Sequence, residues 1–186
     1  AVALNSWGGS ASSRSEDVDA YAYPASYAAT KALVADLDDT ELAAVLGAAL
    51  RGERAYDPAG TKDTDGGRTT WSRWLDLLQT RGGVKDAPQV FQRWVLTGEQ
   101  KAQLAPRARA RTAYAKVDAA DGAWLPPEGL RDAMAAWDFD RAATARASSS
   151  PAPRTSRSPR SPTWVATIHA PAAAGRSSSS AAPRRR

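Results

Sequence analysis

Residues 70–83 read TWSRWLDLLQTRGG, and this stretch decides the fold class. Large apolar side chains recur at the three- and four-residue spacing of one helical face. They are Trp71, Trp74, Leu75 and Leu78. Thr70 can accept a hydrogen bond from the first turn, and the glycine pair Gly82–Gly83 can end the helix in the left-handed conformation. The sequence therefore predicts an amphipathic helix after Thr70.

Helices are also expected on the N-terminal side of this stretch. An alanine-rich run after Pro24 predicts a helix that ends near Asp36. Its three-and-four spacing is carried by Tyr27, Thr30, Lys31 and Val34. Asp38 and Glu41 form a capping-box pattern that starts a second helix. The buried stripe of this second helix is predicted at Leu42, Val45, Leu46 and Leu50.

The C-terminal side continues the pattern. Asp86, with Pro88 in the first turn, predicts a helix that buries Val90, Phe91, Trp94 and Val95. Thr97 and Gln100 repeat the capping-box spacing, and the helix after them is expected to break near Pro106 and to resume until Gly122. Pro126 and Pro127 start a helix that carries Leu130, Met134 and Trp137, and Asp138 caps a last helix from Phe139 to about Arg146.

These signals predict an all-α fold, an irregular bundle of about six or seven short helices with a disordered basic C-terminal tail. No segment shows the alternation of a strand. We divide the chain into an irregular leading segment (1–20), a helical domain (21–146) and a tail (147–186). The glycine-rich stretch from Arg51 to Thr70 is predicted to be a long loop, either functional or an excursion over the surface.

The positive charge of the chain is concentrated in the tail. The net charge is +5, yet residues 1–146 hold 18 basic against all 20 acidic residues. The tail, rich in Ser, Pro, Ala and Arg, cannot bury enough apolar surface to offset its ordering entropy. Nonspecific nucleic-acid binding through its arginines is the alternative function. The candidate contacts are Arg154, Arg157, Arg160, Arg184, Arg185 and Arg186.

Several chemistries lack the residues that they need. There is no cysteine, and the one histidine, His169, lies in the tail. A run over Asp63–Gly66 resembles the middle of a calcium-binding loop, but Thr61 and Ser72 stand where such a loop needs its end carboxylates. We therefore expect no cofactor, no metal and no catalytic site. No apolar run approaches the roughly 20 residues that cross a bilayer.

Charged and aromatic pairs have plain structural interpretations. Carboxylates at Asp17 and Asp19, at Asp38 and Asp39, and at Asp138 and Asp140 are placed where helices begin. The arginines at 107, 109 and 111 are interpreted as a solvated helix face, although an anion- or sugar-binding role together with Trp124 stays open. Most tryptophans fall on predicted core faces, whereas Trp7 and Trp124 do not.

Several segments together resemble the C-terminal helical region of large extracytoplasmic actinobacterial proteins whose preceding domain is similar to gluzincin-type zinc metallopeptidases. They are Trp71–Leu78, Arg81–Gly83, Phe91–Thr97, Trp124–Pro127 and Ala136–Phe139. In that family catalysis belongs to a His-Glu-x-x-His helix and a later glutamate, and neither is present here. The resemblance implies an extracytoplasmic accessory segment.

We therefore expect a non-catalytic helical packing module, a fragment of a larger protein, whose partner is a neighbouring domain of that protein.

Overall fold

The computed structural model describes residues 3–7, 16–61 and 70–148, and in these ranges the all-α prediction is confirmed, with no strand. The helices are α1 (Glu16–Val34), α2 (Asp39–Leu50), α3 (Trp71–Arg81), α4 (Ala87–Val90), α5 (Gly98–Ala102), α6 (Leu104–Asp121), α7 (Glu128–Ala135) and α8 (Phe139–Ser148). A 3-10 turn at Leu4–Ser6 precedes α1, and a π-helical turn at Phe91–Val95 continues α4. No helix in the described ranges is long and apolar enough to cross a membrane.

Helix α1 starts earlier than the sequence pattern indicated. It begins at Glu16, inside the segment expected to be irregular, and it runs through Pro24. An interior proline removes one helical hydrogen bond and crowds the carbonyl four residues earlier, so the rest of α1 must offset this cost. The first turn of α1 contains three acids, whose negative charges interact favourably with the positive end of the helix dipole and stabilise the helix start. They are Glu16, Asp17 and Asp19. Alanine-rich turns beyond Pro24 then carry the helix onward.

The residues whose spacing predicted helix α1 do not form its buried face. Tyr27, Thr30 and Lys31 are exposed, and the buried residues lie on another face. They are Ala22, Ala25, Ala29 and Leu33. This face meets α4 and the π-helical turn, and alanines allow the backbones to approach closely. Three alanines and Leu33 form this contact, so the spacing of the larger side chains predicted the helix but not the face that it buries.

Helix α2 departs from its predicted stripe in the same way. Val45 is buried, but Leu46 and Leu50 are exposed, and Ala48 takes the second buried position. Against α3, the contact is so close that a Cβ on Gly82 would lie 2.7 Å from Val45 Cγ2. Gly82 therefore ends α3 as a small residue, with a φ of −101°, while Gly83 at +65° is the left-handed glycine.

The predicted caps at four helix starts are confirmed. Asp38 with Glu41 and Thr97 with Gln100 form complete capping boxes, and the Thr70 hydroxyl accepts from the Arg73 amide. In α8 the Asp138 carboxylate accepts from the amide of Arg141 at 3.0 Å. Asp86, by contrast, makes no side-chain cap hydrogen bond.

The break expected near Pro106 lies a few residues earlier. Helix α5 ends at Ala102 and α6 begins at Leu104, so that Gln103 is the junction and Pro106 sits in the first turn of α6. Amides in a first helical turn have no partner within the helix, so a proline costs little there.

Two apolar clusters form the core, and α3 contributes to both. The first cluster includes Leu33, Val45, Leu75, Leu78 and Phe91. The second cluster includes Ala48, Tyr56, Leu77, Leu130 and Met134. Four consecutive residues, 75–78, are buried because α3 lies between the clusters. Half-buried tryptophans pack on the first cluster at positions 71, 74, 94 and 137, which confirms their core use.

Candidate functional site

The carboxylate of Asp76 is the centre of a buried polar network. Asp76 lies on α3 between the two apolar clusters, and it is 1% exposed. Its Oδ1 accepts hydrogen bonds from the Tyr56 hydroxyl at 3.0 Å and from Arg107 Nε at 3.0 Å, with a second, shorter bond from the same guanidinium. Its Oδ2 accepts from the indole of Trp137 at 2.7 Å. Both oxygens are therefore engaged by donors of the chain itself.

Aromatic rings surround this network. Trp137 meets Trp71 edge to face at 4.9 Å between ring centroids, and the Arg107 guanidinium lies 5.2 Å from the Trp137 ring. Trp137 has a φ of +58°, a conformation that a bulky residue adopts only where the surroundings enforce it. The indole hydrogen bond to Asp76 and the edge-to-face contact with Trp71 are contacts of the kind that hold such a residue in place.

Burial and the Asp76 charge raise the pKa of Tyr56 well above its ordinary value, with burial as the larger cause. Tyr56 also accepts a hydrogen bond from Arg111 at 3.2 Å. Its hydroxyl therefore stays protonated across the physiological range and works as a donor to Asp76. A general base would need the opposite shift.

A second polar cluster holds the stretch that the sequence predicted to be a long loop. Its first half, residues 51–61, turns inward, with Glu53, Ala55, Tyr56 and Asp57 buried. Asp57 forms ion pairs with Arg131 of α7 and with Arg54 at 3.3 Å. The predicted surface excursion is therefore wrong for this half. The other half, at 62–69, lies outside the described residues.

Arginines also fix Glu53 and the backbone beside it. Glu53 Oε1 accepts from Arg51 at 2.8 Å, and its Oε2 lies 3.7 Å from Arg81 Nε. Arg81 donates to the carbonyls of Arg54 at 3.2 Å and Asp57 at 2.8 Å. Burial acts to raise the pKa of Glu53, but the hydrogen bonds from Arg51 and the Gly60 backbone and the charges of Arg51 and Arg81 outweigh it, so the pKa is lowered.

The three alternating arginines of α6 do not form one solvated face. Arg107 is buried on Asp76, and Arg111 is half-buried at the Tyr56 hydroxyl, so the prediction is wrong for both. Arg109 alone is exposed. A two-residue step turns a helix by about 200°, which explains why neighbours in this series face different surroundings.

The two tryptophans without a predicted core position have different outcomes. Trp7 donates its indole hydrogen to Asp19 Oδ1 at 2.8 Å and meets Tyr23 edge to face at 5.0 Å, so it fastens the leading 3-10 turn to α1. Trp124 is half-buried just after α6, and it does not line a groove with Arg109.

The predicted nucleic-acid contacts all fall outside the described residues. They are Arg154, Arg157, Arg160, Arg184, Arg185 and Arg186. His169 and the calcium-loop residues Asp63, Asp65 and Gly66 also fall outside them. Nucleic-acid binding by the tail therefore stays a prediction. Within the described ranges, no cluster of three or more acids, histidines or cysteines is placed to hold a metal ion.

Two adjoining concave features of the described surface are lined by residues of α6 and α8. One groove of about 270 Å³ has an apolar floor, and an adjoining groove of about 370 Å³ extends it. Arg109, Ala113 and Arg146 line both grooves. No pattern in the sequence predicts that Arg109 and Arg146 line the same grooves, because the two residues are far apart in the chain.

Comparison of the chain with protein-family models, with curated proteins and with solved structures finds no match. The resemblance to a gluzincin-associated helical region therefore stays a prediction.

Proposed function

We propose that the helical domain is a non-catalytic accessory module that packs against a neighbouring domain of a larger protein. The observation that carries the proposal is a set of large apolar side chains left in solvent on the two N-terminal helices. On α1, Tyr23 is 66% and Tyr27 is 71% exposed, and on α2, Leu46 is 44% and Leu50 is 89% exposed.

Each of these pairs is spaced by four residues, so its members are neighbours on one helix face. Fully burying one such side chain is worth about 1.5–3 kcal/mol, which α1 and α2 leave available for a contact. Alanines form most of the buried faces of the same helices, together with Leu33 and Val45. This distribution favours a module whose outward side chains serve an interface.

The internal polar groups support the same role. Asp76, Asp57 and Glu53 are each paired with arginines inside the domain. Reactive carboxylates in enzymes face a cleft where substrate can reach them, whereas these three acids fasten one element to another.

The test uses the chain joined to whatever its gene encodes directly upstream of Ala1. The double substitution L46K with L50K should change the free energy of unfolding of the chain by no more than about 0.5 kcal/mol, because both leucines are exposed. The same lysines should abolish the protection that the upstream domain gives to α2 amides in hydrogen exchange. T40K with A44K supplies the matched control, because Thr40 and Ala44 are also exposed on α2 but lie on another face of the helix.

Equal loss of protection in both double variants would contradict the proposal. Two other results would also contradict the proposal. One is a gene that encodes nothing upstream of Ala1. The other is a specific hydrolytic activity that copurifies with the chain through every step.

A further inference from the structure

The apolar floor of the groove between α6 and α8 is shaped for the body of a small molecule. Ala110 and Ala113 of α6, Leu130 of α7, and Phe139 and Ala142 of α8 line it. Its volume is about 270 Å³. That space accepts one aromatic ring or a short acyl chain.

Among the described residues, three cations and one acid line this groove and its extension. Arg109 of α6 and Arg146 of α8 line the groove from opposite helices, and Lys116 lines its extension. Asp140 is the one acid among the described residues that line either groove. Within the described ranges, no ion pair joins Arg109, Lys116 or Arg146 to an acid.

Arg109 and Arg146 are exposed, and they differ in this from four arginines that are buried or half-buried. Arg54, Arg81, Arg107 and Arg131 each have a carboxylate partner. A guanidinium matches a carboxylate with two parallel hydrogen bonds, and such charge-assisted bonds are about twice as strong as neutral ones. Arg109 and Arg146 have no ion-pair partner among the described residues, so two guanidinium groups beside one apolar floor are complementary to a carboxylate that carries an apolar body.

We propose that the α6–α8 groove binds an amphiphilic monocarboxylate. The carboxylate lies between Arg109 and Arg146, and the acyl or aryl body lies against Phe139 and Leu130. Asp140 opposes a second negative group, so a monoanion is preferred to a dianion. The site is independent of the interface proposed on α1 and α2.

The experiment is a calorimetric titration of the full chain with octanoate at low salt. The expected result is saturable binding of one octanoate per chain. Replacing both arginines, R109Q with R146Q, should raise the Kd by about tenfold or more, since two charged hydrogen-bond donors are lost. R141Q is the control, because Arg141 is exposed on α8, the helix of Arg146, and lines neither groove. It should change the Kd by less than about twofold.

Two further arms separate the site from general surface adsorption. Octanol lacks the charge and should bind about tenfold more weakly than octanoate, while acetate lacks the body and should show no saturation. A113M fills the groove without changing its charge and should weaken octanoate binding. Circular dichroism verifies that each variant keeps the helical content of the parent chain.

The proposal is overturned by any of three results. One is the absence of saturable octanoate binding up to about 1 mM, where the binding free energy would be weaker than about 4 kcal/mol. Another is an R141Q effect as large as that of the R109Q/R146Q double variant. The third is binding of octanol that equals binding of octanoate.

Discussion

Replacing Asp76 by asparagine should cost a large part of the stability of the domain. The substitution keeps the shape of the side chain but removes the charge that balances Arg107, whose side chain is 3% exposed. It also replaces one acceptor oxygen by an NH2 donor, which must then face either Arg107 and Tyr56 or the Trp137 indole. Breaking a buried ion pair by removing one partner costs about 3–5 kcal/mol.

That cost is a substantial fraction of the roughly 5–15 kcal/mol by which domains of this size are stable. The midpoint of thermal unfolding should fall by roughly 6–20 °C, at about 2–4 °C for each kcal/mol. The assay is urea and thermal unfolding followed by circular dichroism at neutral pH. D36N is the control, since Asp36 is exposed after α1, and its effect should stay within about 0.5 kcal/mol.

A double-mutant cycle separates the ion pair from the other contacts of Asp76. R107M alone leaves the carboxylate without its main partner, and D76N with R107M removes both charges. The double variant should lose at least about 1 kcal/mol less than the sum of the single losses. The reasoning is refuted if D76N behaves like D36N, or if the two single losses simply add.

Three further tests, with five substitutions in all, probe separate parts of the fold. G83A should destabilise the chain by about 1 kcal/mol because Gly83 has a φ of +65°. G129A should stabilise it by about 0.5–1 kcal/mol because Gly129 lies in α7 and an added Cβ would meet open space. Chemical denaturation measures both changes. L33A should cost about 2–5 kcal/mol and L50A about 0.5 kcal/mol or less in the same assay, since Leu33 is buried and Leu50 is exposed, and equal losses would contradict this packing. Folding lowers the pKa of Glu53, so its contribution to the free energy of unfolding is present above the ordinary pKa of 4.5 and is lost as pH falls through the folded-state pKa. E53Q should therefore lower the free energy of unfolding at pH 7 and reduce the loss of stability with acidification below about pH 4.5. An unchanged loss of stability below that pH would contradict the role of Glu53.

Helix boundaries were predictable wherever a local rule determines them. Thr70, Asp38 and Thr97 satisfy amides within three residues of themselves, so the neighbouring sequence contains the whole signal. The face that each helix buries depends on its partner, which local spacing does not reveal. On α2, for example, the spacing predicted that Leu46 and Leu50 are buried, but both are exposed, and Ala48 is buried beside Val45.

The polar networks were not predictable for a related reason. Asp76 lies 31 positions from Arg107 and 61 from Trp137, and no short-range pattern connects them. A charged residue in the middle of an apolar helix, as Asp76 is between Leu75 and Leu77, was the available signal. Such a residue is seldom fully buried unless it is paired, which would have directed attention to the arginines of α6.

Native-state hydrogen exchange of the full chain tests most directly whether α3 and its Asp76 network join the two apolar clusters into one cooperative unit. The amides of Leu78 in the first cluster and of Met134 in the second should open with the same free energy, and D76N should lower both by the same amount. An α7–α8 unit that opens at a clearly lower free energy than α3, and that does not respond to D76N, would contradict this account.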